Sequence, residues 1–278
     1  MHKLILIEGI PGSGKTTISK KIYNYLQDNG SKVTHYNEGD SHPVDLSWQS
    51  ILTLDEYDTI IREYPEYEKV IMSNSILESN YAITAYTSLN INRDSDLYGY
   101  LESKEIYSQD TDIDTFKQAH LRRWKKFVET ADSNSIYVFE CVLLQNHITQ
   151  LMLEYDVTEE VIYSYIMEFM TIVDEMSPVI IYLAPESVEK AIKHVAKERA
   201  PKYQDRQDVW IDRVIEYISN TPYGVTHGID DIDGCIKFFS IRQEIEKRLL
   251  SNLNVDSNII EHDGEDWDRV LQCATQVV

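Results

Sequence analysis

Residues 9 to 17 read Gly-Ile-Pro-Gly-Ser-Gly-Lys-Thr-Thr and follow directly on the apolar run Leu4-Ile5-Leu6-Ile7. That order constrains the chain more than any other feature. A short apolar run, a glycine-rich turn and then an amphipathic stripe predict strand, loop and helix in succession. The strand is expected to end near Glu8, the loop to turn at Gly9 and the helix to start near Gly14. Glycines at this spacing let backbone N–H groups converge on one anion, in conformations a Cβ would block. Lys15 adds a point charge suited to β- and γ-phosphates, and Thr16 adds a hydroxyl suited to Mg²⁺. The helix N-terminus contributes a further partial positive charge. Gly9, Pro11, Gly12, Ser13, Gly14, Lys15, Thr16 and Thr17 are therefore expected to hold the phosphates of a nucleoside triphosphate.

Further along, four more β-like runs stand out: Lys32–Tyr36, Ile136–Glu140, Val179–Leu183 and Asn258–Glu261. Most are short, apolar and β-branched, as buried parallel strands are. Helical stripes separate them. Ile18, Ile22 and Leu26 form one, stopped by Gly30, and Val188, Ile192 and Val195 mark a second over Glu186–Arg199. A last helix is expected near Glu265–Val278. Alternating β and α units after such a loop predict a three-layer, doubly wound α/β fold with a five-stranded parallel sheet over residues 1–278.

Two stretches exceed a single crossover. Residues 41–134 are expected to be a helical insertion, with one helix after Thr53 and another over Thr115–Ala131. Thr53 and Glu56 have the spacing of a capping box, although Ile51 to Glu56 also resembles an apolar strand followed by an acid. Residues 199–257 are expected to supply a lid and further helices, Val209–Ile218 and Cys235–Leu250, joined by a turn-rich loop over Thr221–Gly234.

The chain has 278 residues, with 26 basic against 47 acidic side chains and a formal net charge of −21. Such a surface repels nucleic acid and anionic membrane, so neither is an expected partner. Three widely spaced cysteines fit reduced thiols, and the expected setting is soluble and cytoplasmic. The oligomeric state stays open.

Directly after the second predicted strand comes Tyr36-Asn37-Glu38-Gly39-Asp40. A phosphate loop after the first strand and an acid-x-acid pair after the second resemble the small-molecule P-loop kinases. These include the shikimate, gluconate and adenylylsulfate kinases, chloramphenicol phosphotransferase and the zeta-toxin kinases. The resemblance implies a P-loop NTPase fold and an ATP- and Mg²⁺-dependent transfer of the γ-phosphoryl to a hydroxyl. It also implies Asp40 as the base near the acceptor and Glu38, with Thr16, in the metal shell. Chemically, a hydroxyl nucleophile must lose its proton in line with the phosphoryl, and a carboxylate within reach can accept it. Glu140, ending the third strand, stands where the fold's second nucleotide motif lies. Its role is open between ordering Mg²⁺ and touching the acceptor.

Positive charge on the moving phosphoryl is also required. The resemblance assigns this to a lid after the fourth strand, where Arg199 continues the stripe of Val188, Ile192 and Val195 and Arg206 follows. An arginine continuing an apolar stripe at a helix end suits a clamp better than a solvated charge, and completing the helix dipole is the alternative. Arg123 lies at the edge of an apolar helical face, open to either an acceptor cleft or a surface role. The segment 41–114 holds 15 Asp or Glu, four Lys or Arg and eight of the 19 tyrosines. A nucleotide acceptor would want arginines, so a neutral or amine-bearing hydroxyl compound is favoured, such as an antibiotic or a peptide-like metabolite. A nucleoside or nucleotide kinase and a regulatory nucleotide-binding ATPase are the alternatives.

Overall fold

The computed structural model describes residues 2–38, 42–78, 80–200 and 209–278. In chain order its strands are β1 (Leu4–Gly9), β2 (Val33–Tyr36), β3 (Ser50–Thr53), β4 (Ser75–Leu77), β5 (Tyr81–Thr84), β6 (Ile136–Glu140), β7 (Pro178–Pro185) and β8 (Asp256–His262). The helices are α1 (Lys15–Asp28), α2 (Leu54–Glu63), α3 (Glu68–Ser73), α4 (Asp96–Ser103), α5 (Ile113–Thr130), α6 (Leu144–Leu153), α7 (Glu159–Val173), α8 (Val188–Arg199), α9 (Trp210–Asn220), α10 (Pro222–His227), α11 (Ile232–Asn252) and α12 (Trp267–Thr275). Two compact units share the chain. Met1–Val44 with Leu121–Val278 form the first, and Asp45–His120 the second.

The first unit is an α/β structure around a five-stranded, all-parallel sheet in the order β2-β6-β1-β7-β8. All five strands expected from the apolar runs take part. Alternate residues face opposite sides of each strand. Ile5 and Ile7, Ile136 and Val138, and Val179, Ile181 and Leu183 join Ile18, Ile22 and Leu26 of α1 and Val270 and Ala274 of α12 in one core. On the other side, the Phe139 ring lies 5.7 Å from Trp124 and 5.2 Å from Phe127 of α5. Trp124 in turn lies 4.7 Å from Phe169 of α7. Both faces are thus covered, which is why the strands read as unbroken apolar runs rather than as alternation. Each such Ile, Val or Phe taken out of water contributes about 1.5–3 kcal/mol.

β1 sits in the centre. The chain leaves it for β2, two places away on one side, and later adds β7 on its other side. Connections that diverge in this way leave a crevice at the carboxyl ends of the strands beside β1, and ligands of open parallel sheets bind at such a point.

The second unit has an antiparallel sheet in the order β3-β5-β4, with Ile83 of β5 opposite both Ile51 and Ile76. The segment expected to be helical therefore carries strands too. These strands are only three or four residues long, and of them only β3 had a strand-like reading, through Ile51 and Leu52. Leu52, Tyr57, Ile60, Ile71, Ala82, Tyr86, Leu97 and Leu101 form its core. The capping box after β3 is present. The Glu56 N–H donates to Thr53 Oγ1 at 3.2 Å, and the Thr53 N–H donates to the Glu56 carboxylate at 2.8 Å.

Two further differences concern the first unit. The Thr221–Gly234 stretch is not all loop, because Pro222–His227 is helical. Thr221 caps it, Pro222 takes its first turn and Gly228, at φ 63°, ends it. That is the usual placement of a capping hydroxyl, a starting proline and a closing glycine. The helices α6 and α7, between the third and fourth sheet strands, were not anticipated. Cys141 and Cys235 are buried, and all three thiols are free. No helix among the described residues is long and apolar enough to cross a membrane.

Candidate functional site

The loop leaves β1 at the central carboxyl end of the sheet and enters α1 at Lys15. Gly12 and Gly14 are required there by conformation and by contact. Gly12 has φ 80°, and a Cβ would strike the Ala191 carbonyl of α8. Gly14 has φ 84°, and a Cβ would strike the ring of Trp267. An L-residue is strained at such φ values even in open space. The Ser13 N–H donates to the Ile10 carbonyl at 3.2 Å, which closes the turn. The Thr17 and Ile18 N–H groups then begin α1 by donating to the Gly14 carbonyl.

Lys15 is buried, and its ammonium donates to the Gly9 carbonyl at 3.1 Å and the Ile10 carbonyl at 2.9 Å. The charge therefore sits within the curl of the loop. Thr16 Oγ1 donates to Glu140 Oε1 at 2.5 Å, and Ser19 Oγ donates to Glu140 Oε2 at 3.3 Å. Glu140 is 1% exposed at the end of β6, the strand beside β1. Burial pushes its carboxyl above the usual range, and the Thr16 hydrogen bond and the Lys15 charge oppose that shift.

Glu38 follows β2, the next strand outward. Its carboxylate accepts from Gln145 Nε2 at 3.2 Å and from the Cys141 thiol at 3.7 Å. Ligand atoms of Glu38, Glu140 and Cys141 lie within 4.8 Å of one another. Cys141 holds φ 68°, and burial keeps its thiol well above the ordinary value, hence protonated. The oxygens of Thr16, Glu38 and Glu140 suit a hard dication such as Mg²⁺, whereas a protonated, soft thiol does not.

Lys15, Thr16, Glu140 and Glu38 thus come together, along with the loop residues Gly9, Pro11, Gly12, Ser13, Gly14 and Thr17. Asp40 and Arg206 lie outside the described residues. The guanidinium of Arg199, at the end of α8, lies 4.9 Å from the ring centre of Trp210, a cation–π distance. Arg123 is buried in α5 at 7% exposure, which rules out the surface role left open for it.

A second polar layer was missed from the sequence. Glu8 is fully buried, and its carboxylate accepts from the Leu143 N–H at 2.8 Å and the Gln145 N–H at 3.0 Å, at the start of α6. Burial outweighs those hydrogen bonds and pushes its pKa up to about 7. Arg242 of α11, 1% exposed, pairs with Glu246 at 3.1 Å, and Glu246 accepts from the Tyr182 hydroxyl of β7. The Arg242–Glu246 spacing was the visible signal, but an i, i+4 pair usually reads as a solvated helix face.

Residues 1–74 match the family described as Nephrocystin 3, N-terminal. That is 74 of 278 residues, and the match takes in β1, the loop, α1 and β2 before it crosses into the second unit.

Proposed function

We propose that this protein is an ATP-dependent phosphotransferase of the small-molecule P-loop kinase type, which moves the γ-phosphoryl of ATP to a hydroxyl. The observation that carries the reading is the 2.5 Å contact of the Thr16 hydroxyl with Glu140, one residue from the buried Lys15 ammonium. A hydroxyl and carboxylates suited to a hard dication stand beside a cation suited to phosphate, at the carboxyl end of the central strand. Phosphoryl transfer needs this pairing, because its catalysis is mostly positioning and charge stabilisation. The five-stranded parallel sheet with helices on both faces supports a three-layer P-loop NTPase fold.

In this reading the loop amides and Lys15 bind the β- and γ-phosphates. Thr16, Glu140 and Glu38 hold Mg²⁺, which neutralises charge on the phosphates. Asp40, two residues beyond Glu38, takes the proton of the acceptor hydroxyl, and Arg199 and Arg206 belong to the lid. The acceptor is a neutral or amine-bearing small molecule, a reading that rests on the acidic, tyrosine-rich composition of residues 41–114.

The test is ADP release from ATP and Mg²⁺, with and without a panel of hydroxyl compounds. A kinase gives ADP in step with an added acceptor and forms a phosphorylated product. Equal ADP release with and without acceptors would replace this reading with a nucleotide-hydrolysing regulator. Failure of the purified protein to bind ATP would remove it.

A further inference from the structure

The Gly9 carbonyl is held by two cations at once. Lys15 Nζ donates to it at 3.1 Å, and Arg242 Nη2 donates to it at 3.3 Å. The two cations differ in freedom. Lysine carries a point charge on a stem of rotatable bonds, whereas a guanidinium is a rigid plane whose donors are fixed relative to one another. The plane of Arg242 is pinned on each side. Its Nη1 donates to Thr149 Oγ1 of α6 at 2.7 Å, its Nε faces Glu246 Oε1 at 3.1 Å, and the Phe239 ring lies 5.4 Å from its centre. Glu246 is held in turn by Tyr182.

For its ammonium to reach a phosphate, Lys15 must release the Gly9 and Ile10 carbonyls. A buried acceptor stripped of its donor penalises the step that strips it by roughly 5- to 150-fold. The Ile10 carbonyl keeps the Ser13 N–H as a donor at 3.2 Å. The Gly9 carbonyl keeps Arg242. We propose that Arg242 is a positioning residue: it holds the Gly9 carbonyl paired, so that the Lys15 ammonium is free to transfer from the loop to the phosphates of a bound nucleotide. Through it α11, more than 200 residues along the chain, sets the affinity of the loop. This inference rests on the triphosphate reading of the loop.

The experiment measures ATP affinity in the presence of Mg²⁺ by titration calorimetry, together with the melting temperature of each protein. Removing Arg242 alone would bury an unpaired Glu246, so the first variant is the charge-balanced Arg242→Met/Glu246→Gln, in which the new side-chain amide still accepts from Tyr182. It is expected to bind ATP about tenfold more weakly. Phe169→Leu, a change in the buried core beside Trp124 away from the loop, is expected to bind as the unaltered protein does. Thr149→Val leaves the charge pair whole and only loosens the guanidinium. It is expected to weaken binding about two- to fivefold, and it serves if the double variant does not fold.

A double-mutant cycle with Lys15→Met separates positioning from general support. With no ammonium left to transfer, the effect of Thr149→Val should disappear. Unaltered ATP affinity in the folded Arg242 and Thr149 variants overturns the inference, and so does an equal loss in Phe169→Leu or an undiminished Thr149 effect in the Lys15→Met background. If the unaltered protein binds no ATP, the triphosphate reading itself fails, which is a separate outcome.

Discussion

The two units treat charge in opposite ways. In the first, Glu8, Glu140, Glu246, Arg242 and Lys15 are all at most 6% exposed, and most of them connect through the Gly9 carbonyl, β1 or the start of α6. In the second, the core is aliphatic and aromatic. Its Glu56 and Glu105 are half-buried and act locally. Glu56 closes the cap of α2 and pairs with Lys104 at 2.7 Å, and Glu105 ties the Tyr86 hydroxyl to the Trp48 N–H. Sheet direction explains the contrast. Parallel strands deliver all their carboxyl ends to one edge, together with the loops and helix N-termini that follow them. Polar side chains can be gathered there and still find donors. Antiparallel strands alternate their ends, so neither edge of the small sheet collects such groups.

The largest expected effect would break the comparison at Lys15. On the proposed phosphotransferase reading, Lys15→Ala should lower acceptor-dependent ADP formation by at least ~10²–10³-fold, because it removes the charge assigned to the phosphoryl. It should also weaken ATP binding while leaving the melting temperature of residues 45–120 unaltered. Turnover like that of the parent protein would mean that the buried charge of the first unit serves stability alone.

Next in size is a pH effect centred on Glu8 of the first unit. The folded chain holds a proton on Glu8 up to about pH 7, whereas an unfolded glutamate releases it near 4.5. The folded state therefore binds more protons between these values, and its stability falls as pH rises through that window, then levels off. The shift corresponds to about 3 kcal/mol. Urea unfolding at pH 5 and pH 8 should show the loss, and Glu8→Gln should reduce it, with the remainder left to Glu140 and Glu246, which burial also raises. A parent and variant with the same slope would place the proton elsewhere.

The second unit offers the smaller tests. Glu105 is pushed up by burial and steadied by Tyr86 and the Trp48 amide. Glu105→Ala strands the buried Tyr86 hydroxyl, so it should cost about 2 kcal/mol. Amide exchange should rise within residues 45–120, with ATP affinity unchanged. Exchange that rises equally around β1 would show that the two units do not open separately. Smallest is Thr53→Ala, worth about 1 kcal/mol through the lost cap. Protection of the Glu56 amide reports it, and an amide that exchanges no faster would deny the cap any role in holding α2.

Legibility followed the same divide. The five sheet strands, the loop, α1 and the α8 stripe could be read because parallel strands buried on both faces are continuous apolar runs, and because the glycines sit at fixed spacing. Glu140 was legible as the acid ending such a run. β3 was legible only as one of two readings of Ile51–Glu56, and β4 and β5 not at all, since three or four residues carry no period. Glu8 and Arg242 were in plain view but uninterpreted. A strand-end glutamate and an i, i+4 pair acquire meaning only when α6 and α11 close over them, and that is a tertiary event. The signals for α10 were present in Thr221, Pro222 and Gly228, but they were lost among the neighbouring turn residues.

The contact between Gly14 and Trp267 gives the loop an optical property. The indole fills the space that a side chain at position 14 would need, and it also packs on the core and lies 5.2 Å from the His262 ring between centres. Indole emission follows the polarity and packing around the ring. Trp48 is 57% exposed and Trp124 is fully enclosed, so their light belongs to the red and blue extremes. Trp267 and Trp210 stand between them in exposure, and of these two Trp267 packs against Gly14, the residue that caps α1. A rearrangement of the loop backbone at Gly14 therefore alters the surroundings of a native fluorophore, with no label attached.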